Sequence, residues 1–180
     1  MNRDLETLNF KEILSKIKAV VFDIDGVLSS STVNINEVGY LQRTTSVKDG
    51  FAIKCAVRKG LVVAIISGGF CEKTMIRYKN LGVEDVIMGS VWKTEDLEML
   101  KKKYNLKNEE ILYMGDDIPD FQIMKMVGLP CCPVDAADEI KEIALYVSDK
   151  KGGEGCVRDV IEQVMRAQKT WLDDESFAAY

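Results

Sequence analysis

The chain has 180 residues, 29 acidic side chains against 24 basic ones, and no histidine. The missing histidine excludes Ser–His–Asp and Cys–His relays and any His-ligated zinc or haem, so acid–base work falls to carboxylates, Lys, Tyr or Cys. A net charge of −5 argues against nucleic acid as a partner, which asks for a basic face, and no apolar run reaches the ~18 residues of a membrane span. The length predicts one domain over 1–180. Five cysteines are an odd number, Cys131 and Cys132 are adjacent, and the N-terminus lacks a signal-peptide pattern. A cytoplasmic protein with reduced thiols is expected.

Short apolar runs alternate with amphipathic stretches. Strands are predicted at 19–22, 61–66, 85–88, 111–114, 129–131 and 145–147, the first two rich in β-branched residues. Helical patterns fall between them, at about 49–59, 71–81, 94–104, 118–127 and 135–143. A last helix at about 155–168 carries an apolar stripe of Cys156, Val157, Val160, Ile161, Val164 and Met165. This βα alternation predicts an α/β fold, a Rossmann-like parallel sheet with helices on both faces. One segment departs from it. Residues 32–46 are polar and β-branched and read as a β-hairpin with Gly39 in the turn, a flap after strand one, with Asp49 as N-cap of the next helix.

Four strand ends are polar: Asp23-Ile24-Asp25-Gly26, Ser67-Gly68-Gly69, the segment leading to Lys93, and Gly115-Asp116-Asp117. Ligands of open α/β sheets bind beyond the carboxyl ends of the strands, so the four clusters share one rim. Converging carboxylates without histidine call for a counter-ion, and Mg²⁺ takes one or two carboxylates together with waters and phosphate oxygens. In that setting Asp23 suits a nucleophile on phosphorus and Asp25 a general acid and base. Ser67 and Lys93 suit the charge of a transferring phosphoryl group.

In order and spacing, Asp23-Ile24-Asp25-Gly26-Val27, Ser67-Gly68, Lys93 and Gly115-Asp116-Asp117 resemble the four motifs of the haloacid dehalogenase superfamily of phosphatases. The resemblance implies a nucleophilic Asp23, a general acid and base in Asp25, and phosphate binding by Ser67 and Lys93. It implies Mg²⁺ held by Asp23, the backbone carbonyl of Asp25 and Asp116, with Asp117 in support and Asp120 in an outer role. The intervals between motifs are too short for a folded cap domain. The hairpin, Val47-Lys48-Asp49-Gly50, Arg77 with Leu81-Gly82-Val83, and Gly152-Gly153-Glu154-Gly155 resemble the capless 3-deoxy-D-manno-octulosonate 8-phosphate (KDO 8-phosphate) phosphatases. That group implies a sugar acid phosphate substrate and a homotetramer in which hairpins meet and a neighbouring subunit helps to close each active site. Related substrates are 2-keto-3-deoxynononate 9-phosphate and N-acylneuraminate 9-phosphate. Two segments depart from the group's usual pattern. Gly69 and Phe70 stand where many members have Arg after the second motif, and Ser29-Ser30-Ser31-Thr32 where Thr-Asp-Gly is commoner.

Several residues carry a plainer reading beside the functional one. Asp117 and Asp120 suit N-caps. Arg43, Arg77 and Arg158 suit surface ion pairs or contacts to substrate, with Arg158 set against the dipole of the last helix. Cys131, Cys132 and Cys156 suit small buried hydrophobes. Gly152 to Gly155 reads as a tight connection near a neighbour's active site. Trp171 and Phe177, in a tail at about 169–180, suit packing on a neighbouring subunit or fraying. A receiver domain also uses an acidic cluster with Ser and Lys, but places its phosphorylated Asp after an internal strand, where this chain has Ser67 and Gly89-Ser90. A non-catalytic regulatory member would have lost Asp23 or Asp25, and both are present.

Overall fold

The computed structural model describes residues 10–174. In chain order its elements are α1 (Phe10–Lys16), β1 (Ala19–Phe22), β2 (Asn34–Ile35), β3 (Leu41–Gln42), α2 (Val47–Arg58), β4 (Val62–Ser67), α3 (Glu72–Asn80), β5 (Asp85–Met88), α4 (Lys93–Tyr104), β6 (Ile111–Met114), α5 (Phe121–Met124), β7 (Leu129–Cys132), α6 (Asp138–Ile143), β8 (Tyr146–Val147) and α7 (Cys156–Ala167). Six strands form one sheet in the order β5-β4-β1-β6-β7-β8, every neighbouring pair parallel.

Side-chain alternation along the strands divides the interior in two. Val20, Phe22, Val63, Ile65, Leu112 and Met114 face one core, which α1, α2 and α7 close. Ala19, Val21, Ala64, Ile66, Ile111 and Tyr113 face the other, under α4, α5 and α6. The stripe expected on the last helix is buried in full, from Cys156 to Met165. Cys131, Cys132 and Cys156 are buried free thiols, as small apolar residues would be.

The chain leaves β1 for β4 and β5 on one side, then returns to β6 on the other. That reversal puts a crevice beyond the carboxyl end of β1. The hairpin of β2 and β3 is present, antiparallel, with Asn34 opposite Gln42. Gly39 takes a φ of +85° in its turn, while Asn36 Oδ1 accepts from the amides of Val38 and Tyr40.

Some boundaries move. Helix α2 starts at Val47, so Ser46, not Asp49, is its N-cap, and its hydroxyl accepts from the Asp49 amide. Asp49 sits in the first turn, buried, and accepts the Arg158 amide at 2.7 Å. The helix expected at 118–127 is a 3₁₀ turn over Ile118–Asp120 followed by the four residues of α5, because the chain turns after Met124, the Met126 amide on the Ile123 carbonyl and the Gly128 amide on the Asn108 carbonyl at 2.7 Å, to enter β7. The segment 152–155 packs on its own strand-one loop, the Gly153 amide donating to the Val27 carbonyl at 2.8 Å. Trp171 packs edge-on against Phe51 of α2, with ring centroids 6.2 Å apart, so its partner is intramolecular. Phe177 lies outside the described residues.

Candidate active site

Asp23 follows β1 directly, where the sheet holds its backbone: its amide donates to the Met114 carbonyl at 3.1 Å. One carboxylate oxygen accepts the Ile24 amide at 2.7 Å. The other lies 3.0 Å from Lys93 Nζ. Lys93 opens α4 and is only 8% exposed. Such burial is tolerable for an ammonium only with paired anions, and the second anion is Asp120, 2.6 Å away.

Asp120, expected in an outer role or as an N-cap, stands at the centre of the site's hydrogen-bond network. It is 1% exposed, and it also accepts from the Tyr113 hydroxyl at 2.6 Å and from the Asp116 amide at 3.1 Å. It therefore fixes Lys93 and the loop that bears Asp116; it stands at the N-cap position of α5, but its side chain makes no capping hydrogen bond there. The signal for it in the sequence was the spacing of four residues from Asp116, which brings a short turn back over the strand end. Asp117 does cap that turn, accepting the Ile118 amide at 2.8 Å, and this is the role the structure gives it.

Carboxylate oxygens of Asp23, Asp116 and Asp120 lie within 4.8 Å of one another. Burial raises Asp116 to about 7, with Asp120, Asp23 and Asp117 adding to the shift. Burial and Asp120 raise Asp23 to about 6 against the pull of Lys93. One lysine does not offset three converging carboxylates, and the all-oxygen donor set suits a hard divalent cation. Asp23, Asp116 and Asp120 are the side chains that could hold it. Gly26, at φ +83°, lets the strand-one loop meet Asp116: a Cβ there would fall 1.8 Å from Asp116 Oδ2.

Ser67 ends β4, buried, and its hydroxyl accepts the Gly69 amide at 3.3 Å. Gly68 lies against the Ser90 carbonyl, 3.6 Å from the Cβ it lacks. The carboxylate of Asp25 is not part of the acidic trio. It accepts from Ser29 Oγ at 3.2 Å and from Arg43 of the hairpin at both oxygens, Nε to Oδ1 at 2.6 Å and Nη2 to Oδ2 at 2.8 Å. Nothing in the sequence announced this pair, which joins residues 18 apart across an irregular loop. Arg77 lines a cavity of about 950 Å³ beside the hairpin, along with Arg43. Arg158 does not join the site. Its guanidinium pairs with Glu162 and lies over the rings of Phe51 and Trp171.

Comparison with known proteins follows the same lines. A family model described as haloacid dehalogenase-like hydrolase matches residues 62–161. The 3-deoxy-D-manno-octulosonate 8-phosphate phosphatase KdsC of Escherichia coli K12 is 32% identical over 152 residues, 84% of this chain and 81% of the relative. The crystal structure of a probable YrbI family phosphatase from Pseudomonas syringae superposes with a TM-score of 0.89 at 32% identity, covering 94% of this chain and 97% of that one. The KDO 8-phosphate phosphatase of Moraxella catarrhalis, solved with magnesium ion, phosphate ion and a KDO molecule, gives 0.85 at 29% identity over 88% and 91%. The chain belongs to the haloacid dehalogenase-like hydrolase family and is a phosphatase within it.

Proposed function

We propose that the protein is a Mg²⁺-dependent phosphomonoesterase that hydrolyses KDO 8-phosphate to the free sugar acid and phosphate. The observation that carries the reading is the buried cluster of Asp23, Lys93, Asp120 and Asp116 at the switch point of the sheet. Asp23, Asp116 and the Asp25 carbonyl would hold Mg²⁺, which would supply positive charge against the phosphate. Asp23 attacks phosphorus, and the bond to the leaving sugar oxygen breaks as Asp25, its Oδ2 released from Arg43 Nη2 and protonated, donates that proton to it. Water then attacks the aspartyl-phosphate, Asp25 takes the proton, and Asp23 is released with free phosphate. Lys93, held by Asp120, faces the phosphoryl oxygens, and the Ser67 hydroxyl with nearby amides, Gly68 among them, binds another.

The substrate assignment rests on the relatives named for KDO 8-phosphate. Gly69 supports a second reading, in which the substrate is a related sugar acid phosphate, 2-keto-3-deoxynononate 9-phosphate or N-acylneuraminate 9-phosphate. We also propose a cytoplasmic homotetramer. Ile35, Val38, Tyr40 and Leu41 on the hairpin and Phe70 beside it are exposed, more clustered apolar surface than a free loop needs. Among the described residues no helix is long and apolar enough to cross a membrane. Phosphate release from a panel of sugar acid phosphates and ordinary sugar phosphates, with and without Mg²⁺, tests the function. KDO 8-phosphate should lead the panel, only with metal, and Asp23→Asn should abolish release. Equal rates without Mg²⁺, or in the variant, would overturn it.

A further inference from the structure

Arg43 is an unusual hairpin residue. Its side chain is 4% exposed, although its strand neighbours Leu41 and Gln42 are exposed. Its Nε and Nη2 grip Asp25, and the remaining nitrogen, Nη1, is buried without a partner at hydrogen-bond geometry among the described residues, the Cys71 thiol being the other polar group that interacts with the guanidinium. Such an orphaned charged donor costs stability unless an acceptor arrives.

The space for this guanidinium exists because residue 69 is glycine. A Cβ on Gly69 would lie 2.8 Å from Arg43 Nη2 and 3.3 Å from Asp25 Oδ2. A side chain at 69 would therefore crowd the guanidinium and make it shift, so positions 43 and 69 address the same space over the end of β4. The hairpin that supplies it has two-residue strands, too short to be rigid by themselves. Arg43 also lines the cavity of about 950 Å³, whose other walls include Tyr40, Phe70, Lys73 and Arg77.

We propose that Arg43 is a specificity-determining residue that reads a carboxylate on the substrate with the Nη1 and Nη2 end of its guanidinium, while Nε stays on Asp25 Oδ1. A guanidinium presents donors on more than one edge and matches a carboxylate in a planar fork. Seating the ligand takes a small shift of the hairpin that opens Nη1 to the cavity. The second anion of a sugar acid phosphate would thereby be tied to the residue that orients Asp25, and a neutral sugar phosphate would lack that tie. This inference rests on the phosphatase reading for what the site does with its ligand, but its test does not.

The test is equilibrium binding of free 3-deoxy-D-manno-octulosonate and of its carboxamide, followed by calorimetry in the presence of Mg²⁺ and inorganic phosphate. Wild type should favour the acid by about 10- to 100-fold, the worth of a charged hydrogen bond. Arg43→Ala should bring the ratio close to one, and Arg43→Lys, with charge but no fork, should fall between. Placing the guanidinium at the other position, in Arg43→Ala with Gly69→Arg, should restore part of the preference, which separates recognition from damage to the fold. An Arg43→Ala protein that keeps the wild-type ratio within about twofold, or a double variant no better than the single one, would overturn the proposal. Phosphate release by wild type, measured alongside, reports separately on the phosphatase reading.

Discussion

The two sides of the crevice are built differently. On the β6 side, Lys93, Asp120, Tyr113 and the Asp116 amide form a buried network in which each member has a partner. On the hairpin side, Arg43 and Arg77 each keep a buried nitrogen without a hydrogen-bond partner among the described residues, and apolar side chains face solvent. Satisfied polar networks hold geometry, while unsatisfied groups wait for a partner. The first side is prepared for chemistry within one chain; the second is prepared for something to arrive, a substrate or another subunit.

That contrast can be broken from either side. The largest effect should come from Asp23→Asn, which removes the proposed nucleophile and should lower kcat by about 10³-fold or more; steady-state phosphate release checks it. Asp120→Asn should cost about 10- to 100-fold in activity or metal affinity, because Lys93 loses one partner and the Asp116 loop its anchor, and a Mg²⁺ titration of activity would show it. Away from both sides, Ile161→Ala in the buried stripe of α7 should cost about 2–5 kcal/mol of stability, read by denaturant melts, with kcat little changed in the folded fraction.

The smallest effect is a pH dependence with a definite sign. Asp23 at about 6 and Asp116 at about 7 lie above their usual 3.8. The folded state then holds more protons than the unfolded one between roughly pH 4 and 7. These two groups therefore stabilise the metal-free protein less as pH rises through that window. Mg²⁺ should reverse the trend, raising Tm more at pH 7.5 than at pH 5. A Tm gain from Mg²⁺ that is equal at both pH values would mean that the acidic trio does not hold the ion.

Most of the fold and the convergence of Asp23, Ser67, Lys93 and Asp116 on one crevice were legible in the sequence for the same reason. Strands such as Ala19–Phe22 and motifs such as Asp23-Ile24-Asp25-Gly26 are local, and a strand end aims its loop at the crevice whatever the distant packing does. What was not legible depends on tertiary contact. Asp120 reads as a cap until Lys93 and Tyr113 close around it. Asp49 reads as a cap until α7 brings the Arg158 amide to it. Arg43 reads as a surface residue until Gly69 is seen to leave it room. Trp171 reads as a tail residue until it meets Phe51 and Arg158.

The central claim is that Asp23 carries the phosphoryl group during turnover. Acid quenching of turnover on substrate labelled in its phosphate, followed by mapping of labelled peptides, tests it most directly. The account predicts label on the peptide containing Asp23 when Mg²⁺ is present, and none after Asp23→Asn. Active enzyme with the label on another residue, or with turnover surviving in Asp23→Asn, would contradict it.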